Sequence, residues 1–166
     1  MKLYIRQKVF SWKDKFTVKD SRGNDVYQVE GELFSLGKKL HIYDMSGKEV
    51  ASIHQKIWSF LPRYFVYIED NQVAEIVKKF TFLRPKYEVL GLNWQVEGDF
   101  FAHNYEITDG NFTIVEINKE WMTWGDCYEL DIAQSANEIV ALATVLAIDC
   151  ATENNGGASI TISSGD

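Results

Sequence analysis

A closed, antiparallel, mainly β barrel of about twelve strands around a buried C-terminal helix is the fold class this sequence predicts. Three observations point to it. Strand-length segments rich in Val, Ile, Phe and Tyr alternate with turn chemistry over residues 2–130. Similar segments recur in the two halves of that stretch. A run that is apolar on every side follows them.

The turn punctuation comes first. It reads Asp20-Ser21-Arg22-Gly23-Asn24-Asp25, Leu36-Gly37-Lys38, Met45-Ser46-Gly47-Lys48, Asp70-Asn71 and Asp109-Gly110-Asn111. Gly, Asn and Asp reach the positive φ values that tight hairpins require. Aromatic residues make up 14% of the chain, a composition that favours strands. At 166 residues the chain fits one domain and can bury a full core.

The repeat comes second. Val29-Glu30-Gly31-Glu32-Leu33-Phe34 matches Val96-Glu97-Gly98-Asp99-Phe100-Phe101. Val50–Ile57, Val73–Phe80 and Ile114–Trp121 form a second set. Side chains alternate faces along a strand. Positions two, four and eight of this unit are apolar in all three copies: Ala51/Ile53/Ile57, Ala74/Ile76/Phe80 and Val115/Ile117/Trp121. They are expected to face one core. Position six shares that parity yet is Gln55, Lys78 or Lys119, so these side chains either reach a barrel mouth, the preferred reading, or sit beyond a bulge that flips the face. Gly31 and Gly98 are expected to mark bulges or bends that help the sheet curl.

The helix comes third, over residues 135–150. Ser135 and Glu138 fit a capping box, and Ile139–Ile148 has no polar face. A helix apolar all round is buried or spans a membrane. A span takes about 20 apolar residues. This run is shorter and Asp149 closes it, so it is read as a core helix. Within the tail, 153–166, Ser159-Ile160-Thr161-Ile162 reads as a further strand or as frayed chain.

A net charge of −7 disfavours nucleic acid, whose phosphates require Lys and Arg. The opening Met1–Arg6 lacks the apolar core of a signal peptide, and two cysteines without metal-ligand spacing fit a reducing compartment. The expectation is a cytoplasmic protein, peripheral at the membrane if lipid is its ligand. No cofactor, metal site or catalytic residue is read from the sequence.

The candidate ligand-binding residues are Arg63, Lys78, Lys79, Arg84 and Lys86, a basic cluster around Pro85 suited to a phosphate headgroup. Trp58-Ser59-Phe60-Leu61-Pro62 is read first as core packing at the barrel end. Its alternative is an exposed turn that dips into a membrane interface or a partner groove. Trp121–Asp126 is expected to seal the barrel. His41, His54 and His103 are isolated and read as surface or satisfied histidines. Glu30/Glu32 and Glu97/Asp99 are read as charged outer faces rather than calcium ligands, because calcium takes six to eight oxygens. Cys127 and Cys150 are read as buried, inert thiols.

The opening Leu3–Lys8, the strand Phe16–Asp20, the two Val-Glu-Gly segments, Ile76–Lys79 and the apolar helix ending Ala147-Ile148-Asp149 stand in an order that resembles the LURP-one-related family. That resemblance implies a twelve-stranded barrel threaded by a helix. It also implies kinship in fold with the tubby C-terminal domain, which binds phosphoinositide headgroups, and with the phospholipid scramblases, which act at membranes. The sequence shows no clear match to the tubby phosphoinositide residues or to the scramblase calcium segment. The functional expectation is a non-enzymatic binding or scaffold domain of unknown ligand, with an anionic phospholipid headgroup or a protein partner at the membrane surface as its candidates. The alternatives are a protein-interaction module without a lipid role, and an enzyme on the barrel rim.

Overall fold

The computed structural model describes residues 1–6, 15–32, 36–79 and 86–153. Twelve strands precede one helix. The first six are β1 (Lys2–Arg6), β2 (Lys15–Asp20), β3 (Asp25–Gly31), β4 (Lys39–Asp44), β5 (Glu49–Gln55) and β6 (Arg63–Ile68). The second six are β7 (Asn71–Lys79), β8 (Lys86–Leu90), β9 (Trp94–Asp99), β10 (Asn104–Asp109), β11 (Phe112–Met122) and β12 (Gly125–Ile132). Each pairs antiparallel with its chain neighbours, and β1 pairs with β12 to close the barrel. The helix α1 (Glu138–Glu153) lies inside.

The connections alternate between the two ends. The β2–β3, β4–β5, β6–β7, β8–β9 and β10–β11 turns form the floor, where α1 begins. The other six connections form the mouth, where α1 ends. Floor turns are built by aspartates. Asp20 Oδ1 accepts from the Arg22 and Asn24 amides, and Asp44 Oδ1 accepts from those of Ser46 and Lys48. Register shifts at Val18/Lys19, Ile42/Tyr43, Val66/Tyr67 and Ile107/Thr108 place the bulges in floor hairpins. A bulge bends and twists its strand, which helps the wall curl shut.

The bulges are therefore not at the glycines where the sequence suggested them. Gly98 stands opposite Tyr105, and a Cβ there would lie 2.5 Å from the Tyr105 Cα. Gly31 stands opposite Leu40. Both glycines share the inward parity, so each leaves room for the large inward side chain of the next strand.

The repeat pattern holds at positions two and four. Ala51, Ile53, Ala74, Ile76, Val115 and Ile117 are all buried. Position eight departs from it: Ile57 and Trp121 are exposed, because the strand has passed the rim by then. Phe80 lies outside the described residues.

The helix is buried along its described length from Ala141 to Thr152. Its N-cap is Asn137, not Ser135. Asn137 Oδ1 accepts from the Ile139 and Val140 amides at 3.1 and 3.2 Å, satisfying two donors that a helix start leaves open. Glu138 does not reach back to Ser135; its carboxylate takes the Tyr27 hydroxyl at the floor. The helix accordingly starts three residues later than its sequence pattern suggested. At the mouth, the Tyr64 hydroxyl donates to the Cys150 carbonyl at 3.2 Å.

Asn137→Ala is expected to lower stability by about 1 kcal/mol, the usual worth of an N-cap, whereas Ser135→Ala leaves it unchanged. Urea denaturation of both variants checks this. An equal loss in the two would restore the Ser135 cap.

Candidate functional site

Strand parity divides the predicted basic cluster. Tyr64 and Ile76 face inward, so Arg63 and Lys79 face outward, Lys78 faces inward, and Lys86 stands outward opposite Lys79. Arg63 Nη1 donates to Glu75 Oε1 at 2.8 Å, and Lys79 Nζ lies 2.8 Å from Glu88 Oε2. Arg63, Lys79 and Lys86 thus share the outer wall of β6–β8 near the mouth, with two of the three charges paired. Lys78 sits on the inner lip, where burial pulls its pKa down. Lys119 has the same inward parity at the mouth end of β11 and is exposed. Arg84 lies outside the described residues.

A ring of large inward side chains surrounds the last turns of α1. The even-numbered strands begin at the mouth, and each turns a bulky residue inward there: Phe16, Leu40, Tyr64, Tyr87, Tyr105 and Tyr128. The tyrosines were not singled out from the sequence, yet a signal was present. Arg63-Tyr64-Phe65-Val66, Lys86-Tyr87-Glu88-Val89, Asn104-Tyr105-Glu106-Ile107 and Cys127-Tyr128-Glu129-Leu130 repeat one pattern, with Tyr and the aliphatic residue on the inner face.

The ring meets a polar helix end. The Tyr128 hydroxyl donates to Asp149 Oδ2, and the Tyr87 hydroxyl donates to Thr152 Oγ1 at 3.2 Å, whose own proton goes to the Ile148 carbonyl at 2.8 Å. Phe100 packs between Tyr87 and Tyr105, with centroid separations of 4.8 and 5.2 Å. His103, in the β9–β10 turn with φ +50°, stacks on Tyr128 at 4.3 Å and brings Nε2 to 3.7 Å from Asp149 Oδ1. Burial, with Lys119 nearby, holds the His103 pKa below its ordinary value. Burial and the Asp149 charge push Tyr105 and Tyr128 well above theirs, so both phenols stay neutral. The Tyr105 hydroxyl and His103 Nδ1 are buried without a hydrogen-bond partner among the described residues.

The remaining candidates lie outside. His41 sits between Glu49 (3.1 Å) and Glu32 (3.4 Å), and His54 packs on Tyr67 at 4.7 Å. Glu30 pairs with Lys15 at 2.6 Å. Asp99 Oδ1 accepts from the Ala102 amide, which shapes the β9–β10 turn. Glu97, Glu106 and Glu116 stand directly opposite one another on β9, β10 and β11. Among the described residues, no group of three or more His, Cys, Asp or Glu is placed to hold a metal ion. Cys127 and Cys150 are buried, and burial pushes the Cys127 pKa up.

Six of the ten exposed large apolar residues among the described residues stand at the mouth, the other four, Met1, Met45, Leu90 and Phe112, at the floor. Leu36, Ile57, Trp58, Phe60, Phe101 and Trp121 all stand on mouth connections or the strand ends beside them. Trp58 and Phe60 are 99% and 98% exposed, so the core-packing reading of this turn is overturned and the exposed-turn reading holds. Trp121 does not seal the barrel either. Trp124 packs on Tyr4 edge-on at 6.3 Å and lies against Gly23. Trp12 lies outside the described residues. No helix among the described residues is long and apolar enough to cross a membrane.

Comparison with known proteins gives three matches. The family model for LURP-one-related proteins matches residues 1–149. The uncharacterized protein YxjI of Bacillus subtilis is 39% identical over 160 residues, covering 96% of this chain and 99% of that protein. The X-ray structure of a protein from Arabidopsis thaliana superposes with a TM-score of 0.65, covering 91% of this chain and 90% of the other. At 13% identity, that last likeness concerns the fold alone.

The two tyrosines at the helix end should respond differently to loss of their hydroxyls. Tyr128→Phe leaves Asp149 one donor short and is expected to cost about 1.5–3 kcal/mol. Tyr105→Phe removes an unpartnered buried hydroxyl and should leave stability unchanged or raise it. Denaturant titration of each variant measures both. Equal losses would mean that the Tyr105 hydroxyl has a partner.

Proposed function

The chain belongs to the LURP-one-related family, and from that premise we propose that it is a non-enzymatic binding domain that docks on anionic phospholipid surfaces with the mouth of its barrel. The observation that carries this reading is the sorting of side chains between the two ends. Among the described residues the mouth carries six of the ten exposed large apolar side chains, Trp58 and Phe60 the most exposed of them, beside Lys56, Arg63, Lys79, Lys86 and Lys119, while Met1, Met45, Leu90 and Phe112 stand at the floor. The floor turns carry Asp20, Asp25, Asp44, Glu69, Asp70 and Asp109 against two basic residues, Arg22 and Lys48. The net charge of −7 is therefore unevenly spread, and the end that approaches a lipid surface is spared much of it.

Such an end suits a membrane interface physically. Trp and Phe favour the boundary between headgroups and acyl chains. Each Lys or Arg near an anionic surface adds about 1 kcal/mol of attraction. A module for protein partners alone would present the Trp58 patch without basic neighbours, whereas Lys56 and Arg63 border it. A rim enzyme is disfavoured because the tyrosine hydroxyls point at the helix end and the surrounding rings pack against one another. On this reading the protein acts peripherally on the cytoplasmic face of a membrane.

Co-sedimentation with neutral and phosphatidylserine-containing vesicles, at low and physiological salt, tests it. The protein is expected to pellet with anionic vesicles only, and less so as salt rises. Reversing Arg84 and Lys86 to Glu should weaken binding at least tenfold, given about 1 kcal/mol per charge. Failure to pellet with any vesicle would overturn the proposal.

A further inference from the structure

We infer that the arch between β5 and β6, residues 57–62, is the element that enters the bilayer, and that the groove beneath it seats the phosphate of a bilayer phospholipid. The inference rests on the membrane-docking reading and specifies its site.

The arch has a fixed base. The Lys56 amide donates to the Arg63 carbonyl at 2.9 Å, and the Lys78 amide donates to the Pro62 carbonyl at 3.3 Å. Val77, on the outer face of β7, is nevertheless buried, because it lies along the groove beneath the arch. The tip is built differently. Trp58 has φ +60°, a left-handed conformation that Cβ sterics penalise and that a bulky residue rarely adopts. That backbone leaves the indole in solvent, and Phe60, two residues on, is just as exposed. A strained residue that displays a large aromatic side chain to water is accounted for if a contact outside the chain covers that side chain.

The groove has a volume of about 340 Å³. Lys56, Ser59, Leu61, Arg63 and Val77 line it, together with the tip residues Trp58 and Phe60. Arg63 spends Nη1 on Glu75, and a guanidinium carries five N–H donors in all, so others remain for a phosphate oxygen. Lys56 Nζ lies 6.0 Å from the Phe65 ring centroid, a loose contact that leaves its three donors usable. Cationic walls beneath an apolar tip match, in order and in sign, the phosphate and acyl layers of an anionic leaflet. A soluble phosphate would use the walls and leave Trp58 and Phe60 bare, so the occupant is a bilayer lipid.

The test uses the full chain, vesicles of phosphatidylcholine with phosphatidylserine, and the variants Trp58→Ser/Phe60→Ser, Lys56→Glu and Trp58→Phe. Both tip side chains are solvent-exposed, so thermal melts should confirm that the tip variant stays folded. The tip variant and Lys56→Glu should each lose at least tenfold in vesicle affinity. Brominated phosphatidylcholine should quench wild-type tryptophan fluorescence, and most of that quenching should vanish in Trp58→Phe. Wild-type affinity in the tip variant, with salt-sensitive binding intact, would overturn the arch and leave membrane docking standing. Absence of wild-type binding would overturn both. Inorganic phosphate that displaces the protein at the concentration of accessible lipid phosphate would also overturn the bilayer site. So would self-association abolished by the tip substitutions without vesicle binding, since a second copy would then be the occupant.

Discussion

A helix with no polar face must be covered on every side, and that requirement governs the rest of this molecule. From Ala141 to Ile148 every side chain of α1 is buried, including Thr144. Each aliphatic side chain so buried contributes about 1.5–3 kcal/mol before chain entropy is subtracted. An open sheet would cover one side of the helix and leave its own edge amides unpaired. Closure answers both demands. The seam is sealed where the Met1 ammonium donates to the Ile132 carbonyl at 2.6 Å and the Ile132 amide donates to the Met1 carbonyl at 2.7 Å.

The mouth shows how a closed wall accommodates a helix end. Strands that begin there turn Phe16, Leu40, Tyr64, Tyr87, Tyr105 and Tyr128 inward. Strands that finish there offer Gly31, Gln55, Lys78, Gly98 and Lys119 at the same parity. Gly31 and Gly98 make room for Leu40 and Tyr105 opposite them, as a packed interior demands, while Gln55, Lys78 and Lys119 are long enough to carry their polar ends to the rim. The same ring exposes a functional contrast. Side chains turned toward the helix settle its polar end, while those past the rim, such as Trp58 and Trp121, have no wall to lie against.

The architecture was readable in the sequence because two local signals were strong. Turn residues marked the hairpins, and a helix apolar on all sides required a closed partner. Positions two and four of the repeated strand were legible for the same reason: alternation along a strand needs only local order. Position eight was not, because the rim is set by where the neighbouring strand stops, which no local pattern encodes. The cap was misassigned by two residues, since Ser135 and Asn137 are both good caps and the floor contact of Glu138 with Tyr27 joins residues 111 apart. The basic cluster was found as a stretch of sequence, but parity sends Lys78 inward and its neighbours outward. The exposure of Trp58 was open to two readings, because a Trp in a turn packs or projects according to its surroundings.

The position of the helix in the chain has a kinetic consequence. α1 follows all twelve strands, and the closing seam joins residues 131 positions apart. The wall therefore cannot close around its filling until the end of α1 is available. Contacts of such high sequence separation demand loop closure before they return any stabilisation, which slows folding. Until then the unpaired edges of β1 and β12 and an oily helix are exposed together, the condition in which chains associate. The same order works in reverse for unfolding. The helix cannot leave unless the wall parts, so the native state should be long-lived relative to its equilibrium stability, held as much by the route out as by the depth of the well.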